Sequence, residues 1–418
     1  MDGRQRTTVA IALMGALLAT FLLHTSMDRT QVARVVPVVV VWGMLVFGLA
    51  GKAPSIRHVV IAALLTRVIV VGVPAALSDD VYRYLWEGEA LLAGHDPLYA
   101  SPADIRALDP ELAPAIALRV NHPELPSVYP PLAMVWFVGL AVLGGTVATA
   151  QLAAALADVV TVWALHRLDA RGAWLYALLP LPVLESAAGA HIDVPAVTLT
   201  TLALLAFRSA RPQIGTGLLV MGLLTKLFPL VLLPTAWRAL RGRARSWVPA
   251  LALVGAAVAT APFLRPAWPA GVVAYGTRWS FNGLLHVPLD AMTGGLARPL
   301  LLVAGACIAL ATAWRARTVV GAWCVLGMVF VAITPTMHPW YALWALVPAL
   351  ALGRREVAAA SIFLPISYAV LATWDATTGT WDAGPWLWAS TWVPAVGAAL
   401  AVGWWDHRAR MSATEAPS

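Results

Sequence analysis

The chain is built largely from long apolar runs that follow one another closely, and this feature limits its fold more than any other. Runs such as 8–24, 35–50, 58–77, 147–166, 247–264 and 296–314 approach the ~20 residues that an α-helix needs to cross a bilayer, and 172–185 is a shorter run of the same kind. Of the 418 residues, 60% are hydrophobic and 12% are charged, whereas soluble domains carry about 25% charged residues. We therefore expect an all-α polytopic membrane protein, a single domain over residues 1–418, with about 13 membrane segments (roughly 11 to 15).

Basic residues cluster in short connections, which predicts a topology rather than nucleic-acid binding. With the arginine-rich connections inside, both termini are cytoplasmic and the loops at about 78–128 and 265–295 lie on the outer face. The first of these loops carries nine acidic residues against three arginines and is expected to contain short helices. The apolar run that follows Arg4 and Arg6 is interpreted as a retained first helix, because no small-residue cleavage site follows it.

The positions of the cysteines and the amino-acid composition add two further expectations. Cys307 and Cys324 both lie in apolar runs, so neither a disulfide framework nor a zinc site is predicted. Arginine and alanine are frequent and lysine is rare, which is associated with GC-rich bacterial genomes. The expected location is therefore a bacterial inner membrane, with the active site on its extracytoplasmic side.

Two adjacent acids, Asp79 and Asp80, stand where a long apolar run ends and the first outer loop begins. Carboxylates at a bilayer boundary lose solvation unless they are hydrated, paired or used in chemistry. We take them as candidate catalytic acids and favour Asp80, because it lies further into the loop. The other acid is expected to pair with Arg83.

Lys226 interrupts an otherwise apolar stretch, Gly222-Leu223-Leu224-Thr225-Lys226-Leu227-Phe228-Pro229. An unpaired cation inside a membrane costs ~3 kcal/mol on insertion scales, so it should face a cavity and meet an anion. A lipid-linked phosphate would suit, and the alternative is a snorkelling lysine or a partner for Asp158 or Glu185. The basic connections on either side predict that the chain reverses at 226–229 as a re-entrant hairpin.

Further polar residues collect on the same predicted face. Glu185, His191 and Asp193 either line a polar cavity or form an ordinary loop that caps the next helix. Aromatic residues around the remaining candidates fit sugar stacking, or equally an interfacial aromatic belt. As phosphate ligands we consider Lys226, Arg278, His338 and Arg83, and as substrate-binding residues Tyr129, His191, Asp193, Asn282 and Trp340.

The order of these motifs resembles a known family. Asp79-Asp80 is followed by Gly94-His95-Asp96-Pro97-Leu98-Tyr99, Tyr129-Pro130-Pro131, Lys226-Leu227-Phe228-Pro229 and His338-Pro339-Trp340-Tyr341. The arrangement, from about Leu77 to Leu352, is similar to the multi-spanning GT-C glycosyltransferases, especially bacterial polyprenyl-phosphate-mannose-dependent mannosyltransferases. Two helices precede the one that leads into the acids, which departs from the simplest pattern of that family.

The resemblance implies transfer of a sugar, with mannose favoured, from a polyprenyl phosphate to the hydroxyl of a glycan, glycolipid or protein acceptor. It places the catalytic aspartate at Asp79 or Asp80. No cofactor is required. A divalent metal is not required either, because a lipid monophosphate leaving group carries fewer charges than a nucleotide diphosphate, but the metal requirement stays open. The alternatives are a transporter or flippase using Lys226, Asp158 and Glu185, a scaffold, and a ligase or polymerase that takes a diphosphate-linked donor.

Overall fold

The computed structural model describes residues 1–240, 242, 268–375, 377–378 and 380–415. Within these residues the chain is helical and contains only isolated β-bridges, which agrees with the all-α prediction. The predicted helix at 247–264, the start of the second predicted outer loop and the arginines at 241, 243 and 245 lie outside the described residues.

Helices in the first half of the described chain have the following bounds: α1 Gly3–Thr25, α2 Arg29–Val32, α3 Val35–Leu49, α4 Ile56–Val68, α5 Asp80–Leu92, α6 Pro102–Leu108, α7 Pro114–Ala117, α8 Pro131–Val142, α9 Val147–Leu168, α10 Ala170–Leu178 and α11 Pro180–Ala187. Those of the second half are α12 Asp193–Arg208, α13 Pro212–Thr225, α14 Leu233–Ala239, α15 Trp268–Arg278, α16 His286–Thr293, α17 Ala297–Arg315, α18 Val319–Ile333, α19 Leu343–Ala351, α20 Glu356–Ser361 and α21 Pro385–Glu415. Three 3-10 helices, Phe228–Leu232, Pro339–Ala342 and Leu364–Thr373, extend or connect them.

Six helical stretches of the described chain are long and apolar enough to cross a membrane: Gly3–Thr25, Arg29–Leu49, Val147–Leu168, Ala297–Arg315, Glu356–Thr373 and Pro385–Arg408. Four shorter apolar helices, Pro131–Val142, Pro212–Thr225, Val319–Ile333 and Pro339–Ala351, do not reach that length. The prediction of about 13 segments is therefore not confirmed. Several predicted segments are broken or short, because proline and glycine interrupt the apolar runs.

The helix that leads towards the two acids is shorter than its apolar run. A helix was expected over 58–77, but α4 ends at Val68 and the chain continues irregularly through Gly72, whose φ is +95°. Gln151 of α9 compensates for the lost helical hydrogen bonds: its Oε1 accepts from Gly72 N at 2.8 Å and its Nε2 donates to Val73 O at 2.9 Å. These two hydrogen bonds fix the irregular segment that places Asp80 at the start of α5.

The chain reverses direction at Lys226. Helix α13 ends at Thr225, Lys226 is extended, and the following 3-10 helix and α14 pack back against α13. Pro229 cannot continue the hydrogen-bond pattern of α13, which explains why the helix ends before it. The expected hairpin is thus present, and its bend carries the lysine.

A polar triad joins α4, α9 and α10 inside the main apolar core. Arg67 donates through Nε and one terminal nitrogen to Asp158 Oδ2 at 2.8 and 2.7 Å, and Tyr176 donates to Asp158 Oδ1 at 2.7 Å. Arg67 and Asp158 are 0% and 1% exposed. Asp158 is therefore fully engaged in holding helices together and is not available to Lys226.

The long loop between α4 and α8 is anchored by close helix packing. Tyr84 of α5 stacks on Phe137 of α8 with ring centroids 4.9 Å apart. A Cβ on Gly88 would lie 2.2 Å from the backbone oxygen of Phe137, so only glycine permits this approach. A separate small apolar core holds the rest of the loop on α5. It consists of Trp86, Ala90, Ile105, Ala117 and Val120.

Arginine side chains hydrogen-bond carbonyl groups in the last turns of three helices. Arg4 donates to Leu49 O at 2.8 Å, Arg208 to Leu168 O at 2.6 Å, and Arg238 to Ala313 O at 2.7 Å. Carbonyls in the last turn of a helix lack intrahelical partners, and a cation there also complements the helix dipole. These contacts satisfy carbonyl groups that the helices themselves leave without partners.

Candidate functional site

The two adjacent acids at the start of α5 point to different partners. Asp79 forms an ion pair with Arg29, which itself lies over the ring of Trp374. Asp80 accepts a hydrogen bond from Asn121 Nδ2 on Oδ1 at 2.9 Å. Its Oδ2 lies 3.8 Å from Nδ1 of His191, and its side chain is 24% exposed. Only Asp80 therefore faces the cluster of polar residues described below, and the partner of Asp79 is Arg29 rather than Arg83.

Lys226 pairs with Asp193 at the first turn of α12. Its Nζ lies 3.0 Å from Asp193 Oδ2, while Trp344 Nε1 donates to Asp193 Oδ1 at 2.7 Å. Asp193 is 1% exposed and the lysine side chain is 25% exposed. Since an ammonium group has three donors and Asp193 takes one, Lys226 keeps capacity for a second anion. Neither Asp158 nor Glu185 is its partner.

Tyrosine rings surround the lysine. The centroids of Tyr341 and Tyr129 lie 5.5 and 5.9 Å from Lys226 Nζ, within range of a cation–π interaction. Tyr341 also exchanges a hydrogen bond with Tyr275 of α15. Tyr129, predicted as substrate-binding, is thus placed beside the predicted phosphate ligand.

Four rings form a continuous stack beside Asp80. The ring centroids of Phe281 and His338 are 5.1 Å apart, those of His338 and Trp340 are 4.3 Å apart, and those of Trp340 and His191 are 3.7 Å apart. Burial lowers the pKa of His338 to about 4, although Asp80 and Asp193 act in the opposite direction. This favours the neutral imidazole at physiological pH, which adds no positive charge but can still donate a hydrogen bond to a phosphate, so the predicted role of His338 stays a prediction.

Arg83 supports the loop. Its Nε lies 2.9 Å from Glu87 Oε1, and its terminal nitrogens donate to the backbone oxygens of Asn121, His122 and Leu125. Burial raises the pKa of Glu87 in spite of this arginine. With four donor contacts already made, Arg83 holds the segment that delivers Asn121 to Asp80, and its predicted role in binding phosphate stays a prediction.

Two further predicted residues stand apart from the cluster. Arg278 is exposed at the end of α15 and forms no ion pair or side-chain hydrogen bond with another described residue. Asn282 is buried at a φ of +51°, and its backbone oxygen accepts a hydrogen bond from Trp392 Nε1 at 2.7 Å. Asn282 therefore shapes the turn that carries Phe281.

Several residues that bind the predicted acids were missed by sequence reasoning. Arg29, Asn121, Trp344 and Tyr368 each bind a predicted acid, but none carries a local signal that names its partner. Trp344 follows the His338-Pro339-Trp340-Tyr341 motif by one helical turn, which is the only sequence hint among them. Within the described residues, no group of three or more metal-ligating side chains is arranged to hold an ion.

An apolar cavity of about 450 Å³ lies between α8, α9, α12 and α13. Its lining includes Thr225, the residue before Lys226, and Pro195, two residues after Asp193. The remaining lining is almost entirely hydrocarbon: Leu132, Val135, Trp136, Gly139, Leu140, Leu143, Ala153, Ala157, Thr198 and Leu199. The cavity is therefore lined by hydrocarbon, and it reaches the sequence neighbours of Lys226 and Asp193 without being lined by those charged residues themselves.

No protein-family model, curated protein or solved structure matches this chain. The chemistry of the site must accordingly be read from its own residues. A partly exposed carboxylate can accept a proton, and a partly exposed ammonium near it can hold an anionic head group. The adjoining apolar cavity can accommodate a hydrocarbon chain.

Proposed function

We propose that this chain is a membrane glycosyltransferase that transfers a sugar, with mannose favoured, from a polyprenyl-phosphate donor to an acceptor hydroxyl. One observation carries the proposal: Asp80 and Lys226, 24% and 25% exposed, lie in one electrostatic cluster, and Thr225, the residue before Lys226, lines an apolar cavity. A lipid-linked phosphosugar has the matching parts, which are a hydrocarbon tail, an anionic phosphate and a polar sugar.

Lys226 would bind the donor phosphate. Asp193 and the tyrosines Tyr129 and Tyr341 hold the ammonium group in place, and two of its donors remain for phosphate oxygens. A fixed cation stabilises charge that develops on the leaving phosphate in the transition state. The cavity that begins at Thr225 would hold the polyprenyl tail next to this position.

Asp80 would act as the general base. As the acceptor oxygen attacks the anomeric carbon, Asp80 takes the hydroxyl proton, and the bond between that carbon and the phosphate oxygen breaks. The electron pair of this bond leaves with the phosphate. Asn121 orients the carboxylate by donating to Oδ1, which leaves Oδ2 for the proton. The resemblance implies inversion at the anomeric carbon and an acceptor on the extracytoplasmic face, which is a glycan, glycolipid or protein.

The test is transfer of radiolabelled mannose from synthetic polyprenyl-phosphate-mannose to membrane acceptors. Asp80→Asn should abolish transfer while donor binding persists, and Lys226→Met should weaken donor binding. Asp79→Asn is the matched control for Asp80→Asn, because its carboxylate faces Arg29, and it should retain most of the transfer.

Full activity of Asp80→Asn would refute the assigned base. Counterflow of a lipid-linked substrate in vesicles, without any glycosylated product, would favour a transporter or flippase instead. Transfer that requires a diphosphate-linked donor would move the chain to the ligase or polymerase class.

A further inference from the structure

His191 lies between two carboxylates. Its Nδ1 is 3.8 Å from Asp80 Oδ2, and its Nε2 is 3.3 Å from Glu185 Oε2. The ring is 0% exposed, and neither ring nitrogen forms a hydrogen bond within the described residues. Buried polar atoms are nearly always satisfied, so two unsatisfied ring nitrogens, each within 4 Å of a carboxylate, indicate a function beyond packing.

The backbone before His191 is built to hold the ring in this position. A Cβ on Gly189 would lie 2.5 Å from the His191 ring, so a larger residue there would displace it. Ala190 has a φ of +51°, which is unfavourable for a residue with a side chain. Trp340 stacks on the ring at 3.7 Å with an interplanar angle of 17°. Strain of this kind persists where the surrounding structure enforces it, and it is concentrated at functional sites.

Glu185 extends the arrangement into the protein interior. Its side chain is 1% exposed, and the hydroxyl of Tyr368 lies 3.0 Å from both carboxylate oxygens. Within the described residues it has no lysine or arginine partner; Tyr368 donates a hydrogen bond to it, and His191 is the neighbour that can carry a positive charge. A series of proton-carrying groups thus runs from Asp80, at the edge of the site, to Glu185.

We propose that His191 and Glu185 form a proton relay that restores Asp80 to its carboxylate form; this role rests on the proposed glycosyl transfer. Protonated Asp80 gives its proton to Nδ1 of His191, while the proton on Nε2 passes to Glu185. The step begins with a neutral Asp80, a neutral imidazole and an anionic Glu185, and it ends with an anionic Asp80, the other imidazole tautomer and a neutral Glu185. After product release, the reverse transfer through Asp80 returns the proton to solvent.

The distances from His191 to Asp80 and Glu185 fit a site whose hydrogen bonds shorten when substrate binds. A proton transfer needs heavy atoms about 2.6–3.2 Å apart, and catalytic hydrogen bonds are often longer in unliganded proteins. A reorientation of the ring, together with a movement of about 1 Å or less, would bring either nitrogen into hydrogen-bond geometry with its acid. Neither His191 nor Glu185 touches the substrate in this scheme, so both are positioning residues that act through Asp80.

Charged and titratable groups approach the His191 ring from several elements, and those outside the relay must be distinguished from Asp80 and Glu185. Asp80 approaches from α5, Glu185 from α11, Asp193 from α12 and Lys226 from the α13 hairpin. His338 lies just before the 3-10 helix Pro339–Ala342, and Tyr368 lies in the 3-10 helix Leu364–Thr373.

The first experiment is ¹⁵N NMR of histidine-labelled protein in lipid nanodiscs, with the His191 signal assigned by its loss in His191→Gln. Asp80→Asn and Glu185→Gln should each shift the proton uptake of His191 to lower pH, because each removes an anion that stabilises the imidazolium. Glu89→Gln, on α5 but without a contact to His191, is the matched control and should change nothing. A His191 titration that is the same in wild type and both variants would overturn the relay.

The second experiment measures transfer as a function of pH. His191→Gln should lower kcat by about 100-fold, leave the donor KM close to that of wild type, and alter the shape of the pH profile, as expected for a lost proton acceptor. Equal loss at every pH would mean a merely structural role and would overturn the relay. If the His191 titration depends on Asp80 and Glu185 but the protein transfers no sugar, the proposed function alone is refuted. If the protein transfers sugar but the His191 titration does not depend on these acids, the relay alone is refuted.

Discussion

At the scale of single residues, this protein separates charges that are used for structure from charges that remain accessible. Arg67 and Asp158 are completely buried and satisfy one another. Asp80 and Lys226 keep about a quarter of their side-chain surface exposed. Exposure therefore distinguishes two groups of ionisable residues that look alike in the sequence.

Removing one member of the buried triad of Arg67, Asp158 and Tyr176 should lower the free energy of unfolding much more than replacing all three together. Arg67→Met leaves Asp158 without its cation and should lower the free energy of unfolding by about 3–5 kcal/mol. Replacing the whole triad by apolar residues, with Arg67→Met, Asp158→Leu and Tyr176→Phe together, should recover most of this loss, since no buried polar group is left unpaired. Unfolding in detergent measures both, and a single variant as stable as wild type would contradict the interpretation.

His338 should make stability depend on pH. Its folded-state pKa is lowered from 6.5 to about 4 by burial, so the unfolded chain takes up a proton that the folded protein does not. This contribution to stability is fully present above pH 6.5 and is lost as the pH falls towards 4, to a total of about 3 kcal/mol.

The matched variant for His338 is His338→Phe, which keeps a ring between Phe281 and Trp340 but cannot titrate. Thermal unfolding between pH 4 and 7 should show a smaller decrease for His338→Phe than for wild type. Identical decreases would mean that other groups account for the acid sensitivity.

At the scale of elements, the site depends on how closely α5 approaches α8. The two helices meet at Gly88, and Tyr84, one turn earlier, stacks on Phe137. Asp80 belongs to the first turn of the same helix, so a change in this contact moves the proposed base. The position of α5 is thus set by backbone contact as well as by apolar side chains.

Gly88→Ala should disturb both stability and activity. The added methyl group meets the backbone oxygen of Phe137, which cannot rotate away, and overpacking of this kind costs typically about 1–3 kcal/mol. Transfer should fall together with stability, because α5 is displaced from α8. Gly217→Ala in α13 is the control: nothing lies within 4 Å of its added Cβ, and the higher helix propensity of alanine should make it neutral or slightly stabilising. Equal behaviour of the two variants would contradict the packing argument.

At the scale of the whole molecule, the fold joins a polar cluster to an apolar cavity between four helices. The loop between α4 and α8 supplies Asp80 and Asn121, the α13 hairpin supplies Lys226, and the segment between α11 and α12 supplies His191. The cavity opens from the same hairpin at Thr225. A substrate with one polar and one hydrocarbon part would therefore bridge elements that are distant in sequence.

Filling the cavity should affect long-tailed donors selectively. Ala153→Trp places a large side chain among the lining residues and should raise the KM for a donor with a long polyprenyl tail, with a much smaller effect on a short-tailed analogue. Val160→Trp, at an exposed position on the same helix outside the cavity, is the control and should affect neither donor. An equal change of KM for both donors in Ala153→Trp would show that the tail does not occupy this cavity.

The sequence alone was sufficient to locate most helices. The predicted segments at 147–166 and 296–314 correspond to Val147–Leu168 and Ala297–Arg315, and the reversal at Lys226 was expected from its flanking basic connections. These features depend on local properties, namely the length of an apolar run and the positions of proline and glycine. The number of segments was not obtained this way, because interrupted runs such as 172–185, which divides at Pro180, look continuous in hydropathy.

Only the tertiary structure decided which charged groups meet. Asp79 and Asp80 are neighbours in sequence, yet one binds Arg29 and the other faces His191. Lys226 is joined to Asp193, 33 residues away, and not to Asp158 or Glu185. A charge interacts with whatever packing brings within a few ångströms, and that distance is set by helix contacts that no local pattern encodes. The sequence therefore determined the kinds of residue available to the site, and the packing of the helices determined their partners.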